Sequence, residues 1–196
     1  MTRLAVVGAA AAAVAIGFGA VHFTQPAWWQ RLWYPYRYRV IVRGHAANYR
    51  LDGALLAAVI YEESRFRADA RSKSGAIGLM QLLPSTAEGI AARTGGSRFR
   101  VSDLYDPEIN VRYGAWYLRH LLDKYRNERL ALAAYNAGQQ NVDSWLRRGQ
   151  AIGFPETRRY VQRVEELKKV YRHAYGDQLD SRTTSLGHLT DALVMS

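Results

Sequence analysis

A mainly α-helical fold is predicted by three features of this 196-residue sequence. Apolar residues recur at spacings of three and four through several stretches, the signature of a helix with one buried face. Pro and Gly punctuate those stretches where helices start and stop. No run in the central part alternates apolar and polar residues as a half-buried strand does.

The elements follow in order. Residues 4–23 (LAVVGAAAAAVAIGFGAVHF) carry no charge and follow a single Arg3, a length that matches a bilayer span of ~20 residues. They are read as an uncleaved signal anchor, with a secreted protein after signal-peptide cleavage as the alternative. Residues 25–44 form an aromatic-basic segment: Trp28, Trp29, Trp33 and Tyr34 suit a membrane interface, and the arginines suit anionic headgroups. More positive charge follows the anchor than precedes it, which taken alone places the following domain in the cytoplasm; the residue blocks of that domain, given below, outweigh the flank, and it is expected on the extracytoplasmic side.

A central domain is expected over residues 45–175. Leu51–Phe66 has apolar residues at 55, 56, 59, 60 and 66 and reads as its first helix. The Ser/Gly/Ala-rich residues 67–78 read as a loop, and Pro84-Ser85-Thr86 opens a short helix. Residues 94–101 read as a Gly/Arg loop, after which Asp106-Pro107 opens a helix to about Tyr125 with Val111, Ala115, Leu118 and Leu122 on one face. Helices then cover 129–137, stopped by Gly138, and 141–147. Pro155 starts the last, to about Tyr175, with Tyr160, Val164, Leu167 and Tyr171 at helical spacing. Residues 176–196 are polar and weakly periodic and are expected to be a disordered tail.

Within the first helix, a turn of roughly 100° per residue sets Glu63 within about 20° of the middle of the apolar face, and Glu62 about 80° off it. A carboxyl held against apolar surface keeps its proton near neutral pH, as a general acid must. A structural ion pair is the plain alternative for a lone glutamate.

The surrounding residues favour the acid. Glu63-Ser64, Phe66, Ala70-x-Ser72, Gly75-Ala76-x-Gly78-Leu79-Met80-Gln81 and Pro84-x-Thr86-Ala87 are followed by Leu104-x-Asp106-Pro107-Glu108-x-Asn110, Ala134-Tyr135-Asn136-Ala137-Gly138 and Glu156-Thr157-Arg158-x-Tyr160-Val161. This order resembles the catalytic core of soluble-type lytic transglycosylases (the SLT domain), relatives of goose-type lysozyme, over about residues 45–175. The resemblance implies a lysozyme-like helical domain that cleaves the β-1,4 bond between N-acetylmuramic acid and N-acetylglucosamine in peptidoglycan, leaving a 1,6-anhydro-muramic acid product. It implies Glu63 as acid and then base. It also implies substrate contacts from Ser72, Met80, Gln81, Tyr135, Asn136, Glu156 and Tyr160. Ser72 has a second reading as a loop cap, Met80 as a core residue, and Glu156 as a first-turn acid favoured by the helix dipole.

Two rival readings share the groove: a goose-type muramidase using a second carboxylate from Asp69, Asp103 or Asp106, and a non-catalytic wall-binding protein. The net charge of +10 suits the polyanions of a cell wall, and no recognised nucleic-acid motif accompanies it. No cofactor is expected. The absence of cysteine excludes disulfides, thiolate metal sites and a lipoprotein anchor, and the five histidines are scattered rather than paired at ligand spacing.

Overall fold

The computed structural model of the protein describes residues 24–179, together with Val7 and Gly19. The expected signal anchor and most of the expected tail lie outside the described residues. The chain divides between Pro35 and Tyr36 into two compact units. In the first, Pro26 precedes a short helix, α1 (Ala27–Trp33), on which Trp28 and Trp33 are exposed. Their rings meet that of Trp29 edge-on, at 5.8 and 6.0 Å between centroids. Among the described residues no helix is long and apolar enough to cross a membrane.

The second unit is helical, as expected. Its helices are α2 (Arg39–Asn48), α3 (Gly53–Ser64), α4 (Pro84–Thr94), α5 (Pro107–Tyr125), α6 (Glu128–Ala137), α7 (Gln139–Arg147) and α8 (Pro155–Leu179), with a 3₁₀ turn at Val101–Tyr105. Among the described residues, strand geometry is confined to two isolated bridges, Arg71 with Ile77 and Ile77 with Leu82.

Helix α3 is the axis. Every residue from Ala54 to Ile60 is buried, because a helix that is apolar all round is stable only when neighbours surround it. Asp52 caps it, accepting from Ala54 N–H at 2.9 Å. The same carboxylate faces Lys168 at 3.4 Å and is hydrogen-bonded by Arg172 of α8. Burial pulls the Asp52 pKa upward, but Lys168, the Ala54 N–H and Arg172 outweigh it and hold the group below its ordinary value.

Helix α8 lies along α3 and presents the predicted stripe: Tyr160, Val164, Leu167 and Tyr171 are all buried, with Thr157 and Val161 beside them. It continues to Leu179, four residues into the segment expected to be tail, because Ala174, Tyr175 and Leu179 extend the buried face. A ring cluster of Tyr36, Phe66, Tyr171 and Tyr175, with centroids 5.4–6.3 Å apart, closes the end of this layer. Tyr36 and Val42, drawn from the segment read as aromatic-basic, are therefore core residues of the second unit.

Helix α2 was not expected. Its buried stripe is only Val42, His45 and Ala46, too short to stand out in an Arg-rich stretch. His45 Nε2 meets Glu108 Oε1 at 2.7 Å and so joins α2 to the start of α5. Helix α5 begins at Pro107 under the Asp106 cap, whose carboxylate accepts from Ile109 N–H at 3.0 Å.

Candidate active site

The C-terminal end of α3, the loop 65–83 and the C-terminal end of α6 enclose a cleft of about 340 Å³. Glu63 lines it, one residue from the end of a helix whose preceding residues, Ala54 to Ile60, are buried on every side. The phenol of Tyr160, from α8, donates to Glu63 Oε1 at 2.7 Å. Burial raises the Glu63 pKa to about 7; the Tyr160 hydrogen bond pulls it down and the neighbouring Glu62 pushes it up, both less strongly. Burial, with Glu63 close by, keeps Tyr160 protonated well above the ordinary phenol value, so its hydroxyl is available to donate to the Glu63 carboxylate. Glu62 turns to the other side, where Arg163 approaches at 3.7 Å.

The loop 75–82 is held by side chains from three helices. Asn110 of α5 is fully buried and makes three contacts: its Oδ1 accepts from Met80 N–H at 2.8 Å, and its Nδ2 donates to the carbonyls of Ile77 at 2.9 Å and Leu104 at 2.8 Å. Ser64 Oγ donates to Leu79 O at 2.8 Å, and the Tyr135 hydroxyl donates to Met80 O at 2.8 Å. Gly78 has φ +82°, and a Cβ there would collide with the Asn110 amide and the Leu104 carbonyl. A tight loop with this many backbone groups turned inward needs such partners, since unpaired buried amides and carbonyls are costly.

The expected site residues divide. Glu63, Ser72, Gln81, Tyr135 and Asn136 all line the cleft. Ser72 accepts from Ala76 N–H at 3.0 Å and lies 2.9 Å from Ser74 Oγ, so it caps the loop while lining the cleft. Gln81 takes a left-handed backbone (φ 48°), and its Nε2 donates to Ala70 O and Gly78 O at 3.1 and 2.9 Å. Tyr160 reaches the site through Glu63.

Met80 and Glu156 stand elsewhere. Met80 is fully buried against Gly114 of α5, and only its backbone serves the site. This is the core reading of that residue, not the groove reading. Glu156 is exposed in the first turn of α8 and is not among the cleft-lining residues, while Thr157 beside it turns inward. At roughly 100° per residue, Thr157 lies about 30° from the middle of the stripe it forms with Tyr160, Val161, Val164, Leu167 and Tyr171, and Glu156 about 70° from it.

Sequence reasoning assigned no role to Asn110, Ser64 or Thr157. All three occur within the recurring blocks, but their partners are 30, 15 and 21 residues away, beyond the reach of periodicity. The candidate second carboxylates are occupied outside the cleft or exposed: Asp103 accepts from Arg100 N–H at 2.8 Å, Asp106 caps α5, and Asp69 is exposed on the loop. Among the described residues lining the cleft, Glu63 is the one carboxylate. Among the described residues, no three His, Cys, Asp or Glu side chains gather closely enough to hold a metal ion.

A profile of the Transglycosylase SLT domain matches residues 41–155. The chain belongs to this SLT-domain family. The soluble lytic murein transglycosylase of Escherichia coli K12 is 29% identical over 157 residues, covering 74% of this chain and 24% of that protein. The membrane-bound lytic murein transglycosylase F of Serratia proteamaculans is 34% identical over 146 residues, covering 64% and 28%. Among solved structures, an inactive Glu-to-Gln mutant of lytic transglycosylase Slt from Pseudomonas aeruginosa aligns with a TM-score of 0.67 at 32% identity, over 78% of this chain and 27% of that one. The 70 kDa soluble lytic transglycosylase of E. coli aligns with a TM-score of 0.70 at 26% identity, over 79% and 28%. The SLT-domain protein described here spans about a quarter of the length of these relatives.

Proposed function

We propose that this protein is a peptidoglycan lytic transglycosylase acting through a single carboxyl group. The observation that carries the reading is Glu63: one carboxyl lining a cleft, bonded to Tyr160 and held by burial at a pKa of about 7. A glycosidic bond breaks when its bridging oxygen is protonated and the positive charge left on the sugar is stabilised. Glu63, protonated near neutral pH, gives its proton to the bridging oxygen between N-acetylmuramic acid and N-acetylglucosamine. The resulting carboxylate accepts the proton of the muramic acid C6 hydroxyl, whose oxygen closes on C1 to form the 1,6-anhydro ring. Atoms balance without water, and Glu63 ends as it began. A pKa near the working pH favours both directions of transfer. The tethered hydroxyl has an effective-molarity advantage over free water.

One further observation supports this reading over hydrolysis: Asp69, Asp103 and Asp106 do not line the cleft. Ser72, Gln81, Tyr135 and Asn136 are proposed to contact the glycan.

We also propose that residues 4–23 anchor the protein in the membrane, with Trp28 and Trp33 at the interface and the second unit on the extracytoplasmic side. The uncharged run, the exposed tryptophans of α1 and the location of peptidoglycan support this.

Mass spectrometry of purified peptidoglycan after incubation with the protein tests the function. Muropeptides ending in 1,6-anhydro-muramic acid are expected from the native chain and not from Glu63→Gln. No fragment release by the native chain contradicts the reading.

A further inference from the structure

A recess of about 330 Å³ lies outside the cleft, between the end of α2, the C-terminal half of α4 and α5, and shares no lining residue with the cleft. Tyr49, Ile90, Thr94, Arg112, Tyr113 and Trp116 line it. Arg and Trp side chains only donate hydrogen bonds. Among the described residues, neither the Arg112 guanidinium, the Trp116 indole nor the Tyr49 phenol has a hydrogen-bond partner. Burial raises the Tyr49 pKa against the pull of Arg112, so the phenol keeps its proton and can donate as well. Arg112 lies over the Tyr113 ring, 5.4 Å from its centroid, a stacking that steadies the planar guanidinium and leaves its N–H fork open.

The carboxylates that could neutralise Arg112 are engaged elsewhere. Glu108 stands one turn before it on α5, the spacing at which a glutamate and an arginine ordinarily pair. Its Oε1 meets His45 Nε2 at 2.7 Å instead, and Arg112 has no ion pair among the described residues. Asp103, in the adjoining recess that Arg112 also lines, accepts from Arg100 N–H at 2.8 Å. No acidic residue lines the recess itself. The carbonyls of Gly95 and Gly96, which also line it, already accept from Ser97 and Phe99 N–H. The recess offers one positive charge and several donors, and little that accepts.

We propose that this recess binds the terminal carboxylate of a wall stem peptide, and so grips the substrate away from the bond that is cut. A sugar hydroxyl donates as well as accepts and gains less from a surface of donors. A planar carboxylate matches the guanidinium fork, and Ile90 with the rings of Tyr113 and Trp116 receives the apolar side chain next to it. A phosphodiester carries chain on both sides, whereas a recess walled by three helices suits a chain end. The position also fits. Thr86 of α4 lines the cleft and Thr94, about two turns on, lines the recess, some 12 Å along the helix axis at about 1.5 Å per residue. About four extended residues branching from a strand in the cleft span that length. The wall as the source of the peptide rests on the reading of the chain as a peptidoglycan-cleaving enzyme; the carboxylate chemistry does not.

Isothermal titration calorimetry of the full chain with acetylated alanyl-alanine, its C-terminal amide and dimethyl phosphate tests the chemistry. The acid is expected to bind at least about tenfold tighter than the other two. Arg112→Gln, on an exposed side chain, is expected to weaken it about 10- to 100-fold, the size of a lost hydrogen bond to a charged group. Arg112→Lys recovers only part of that loss, and Glu63→Gln leaves binding within about twofold. Co-sedimentation with peptidoglycan tests the source. Stripping the stem peptides with an amidase is expected to weaken binding of the Glu63→Gln chain at least about fivefold, and to leave it unchanged once Arg112→Gln is added. No binding of the acid, equal binding of the amide, tighter binding of dimethyl phosphate, an unchanged Arg112→Gln or a loss with Glu63→Gln overturns the site. Undiminished binding of the Glu63→Gln chain to stripped glycan overturns the stem peptide as its occupant. A native chain that cuts neither form of the wall removes the functional reading, and calorimetry still decides the carboxylate site.

Discussion

Two concavities of the second unit differ in a way that separates a reaction site from a mere recess. The larger, about 870 Å³, lies between the start of α6, the loop before α8 and the outer face of α8. Two of its three arginines are already engaged: Arg129 pairs with Glu165, and Arg158 donates to the carbonyls of Ile152 and Gly153. The smaller, about 340 Å³, holds Glu63 where burial works against its charge, and its loop wall is fixed by Asn110, Ser64 and Tyr135. Volume alone favours the wrong one. What marks the smaller cleft is an ionisable group kept away from its preferred solvation by a rigid surround, an arrangement with a cost to folding that only chemistry explains.

That difference can be broken at several points. The largest effect is expected from Glu63→Gln, which removes the acid and lowers cleavage by on the order of 10³-fold or more in a turnover assay, while glycan binding persists. The same change sharpens the claim that burial strains this carboxyl. Because the Glu63 pKa is raised from 4.5 to about 7, the folded state holds its proton more tightly than the unfolded state. The native chain therefore loses stability as pH rises from 4.5 to 7, and the loss is complete above 7. Thermal melts are expected to find Glu63→Gln equal to the native chain at pH 4 and more stable at pH 8, by on the order of 2–3 kcal/mol. Equal melting at both pH values contradicts a buried, strained Glu63.

Next in size is Gly78→Ala. It combines a disfavoured positive φ with collision against Asn110 and Leu104, and is expected to cost about 2–4 kcal/mol in chemical denaturation. Tyr160→Phe then tests the hydrogen bond on the carboxyl: the Tyr160 bond lowers the Glu63 pKa, so its loss is expected to move the alkaline limb of the pH–activity profile to higher pH. The smallest effect belongs to the larger recess. Arg158→Ala and Arg159→Ala are expected to leave cleavage within about twofold and stability within about 0.5 kcal/mol per surface site. A loss of tenfold or more in cleavage contradicts the distinction between the two concavities.

The sequence made part of this arrangement legible. Helical spacing located α3, α5 and α8 and set Glu63 against apolar surface, because a helix's buried face is written locally in its own residues. The loop blocks that carry the family resemblance identified the wall of the cleft but not the division of labour within it. Met80 lies between groove residues in sequence yet points into the core against Gly114, and Glu156 yields the inward position to Thr157 by a single step around α8. Helix α2 was hidden because three buried residues in an arginine-rich stretch give too weak a period. The role of Asn110 depends on carbonyls and amides brought to it by folding, for which no local pattern exists.

The central claim is that one carboxyl closes an intramolecular ring without water, and digestion of peptidoglycan in ¹⁸O-labelled water tests it most directly. Mass spectrometry of first-turnover products is predicted to find 1,6-anhydro-muramic acid ends with no label. Reducing muramic acid ends carrying ¹⁸O from the first turnover would contradict the account and require a second group that activates water opposite Glu63.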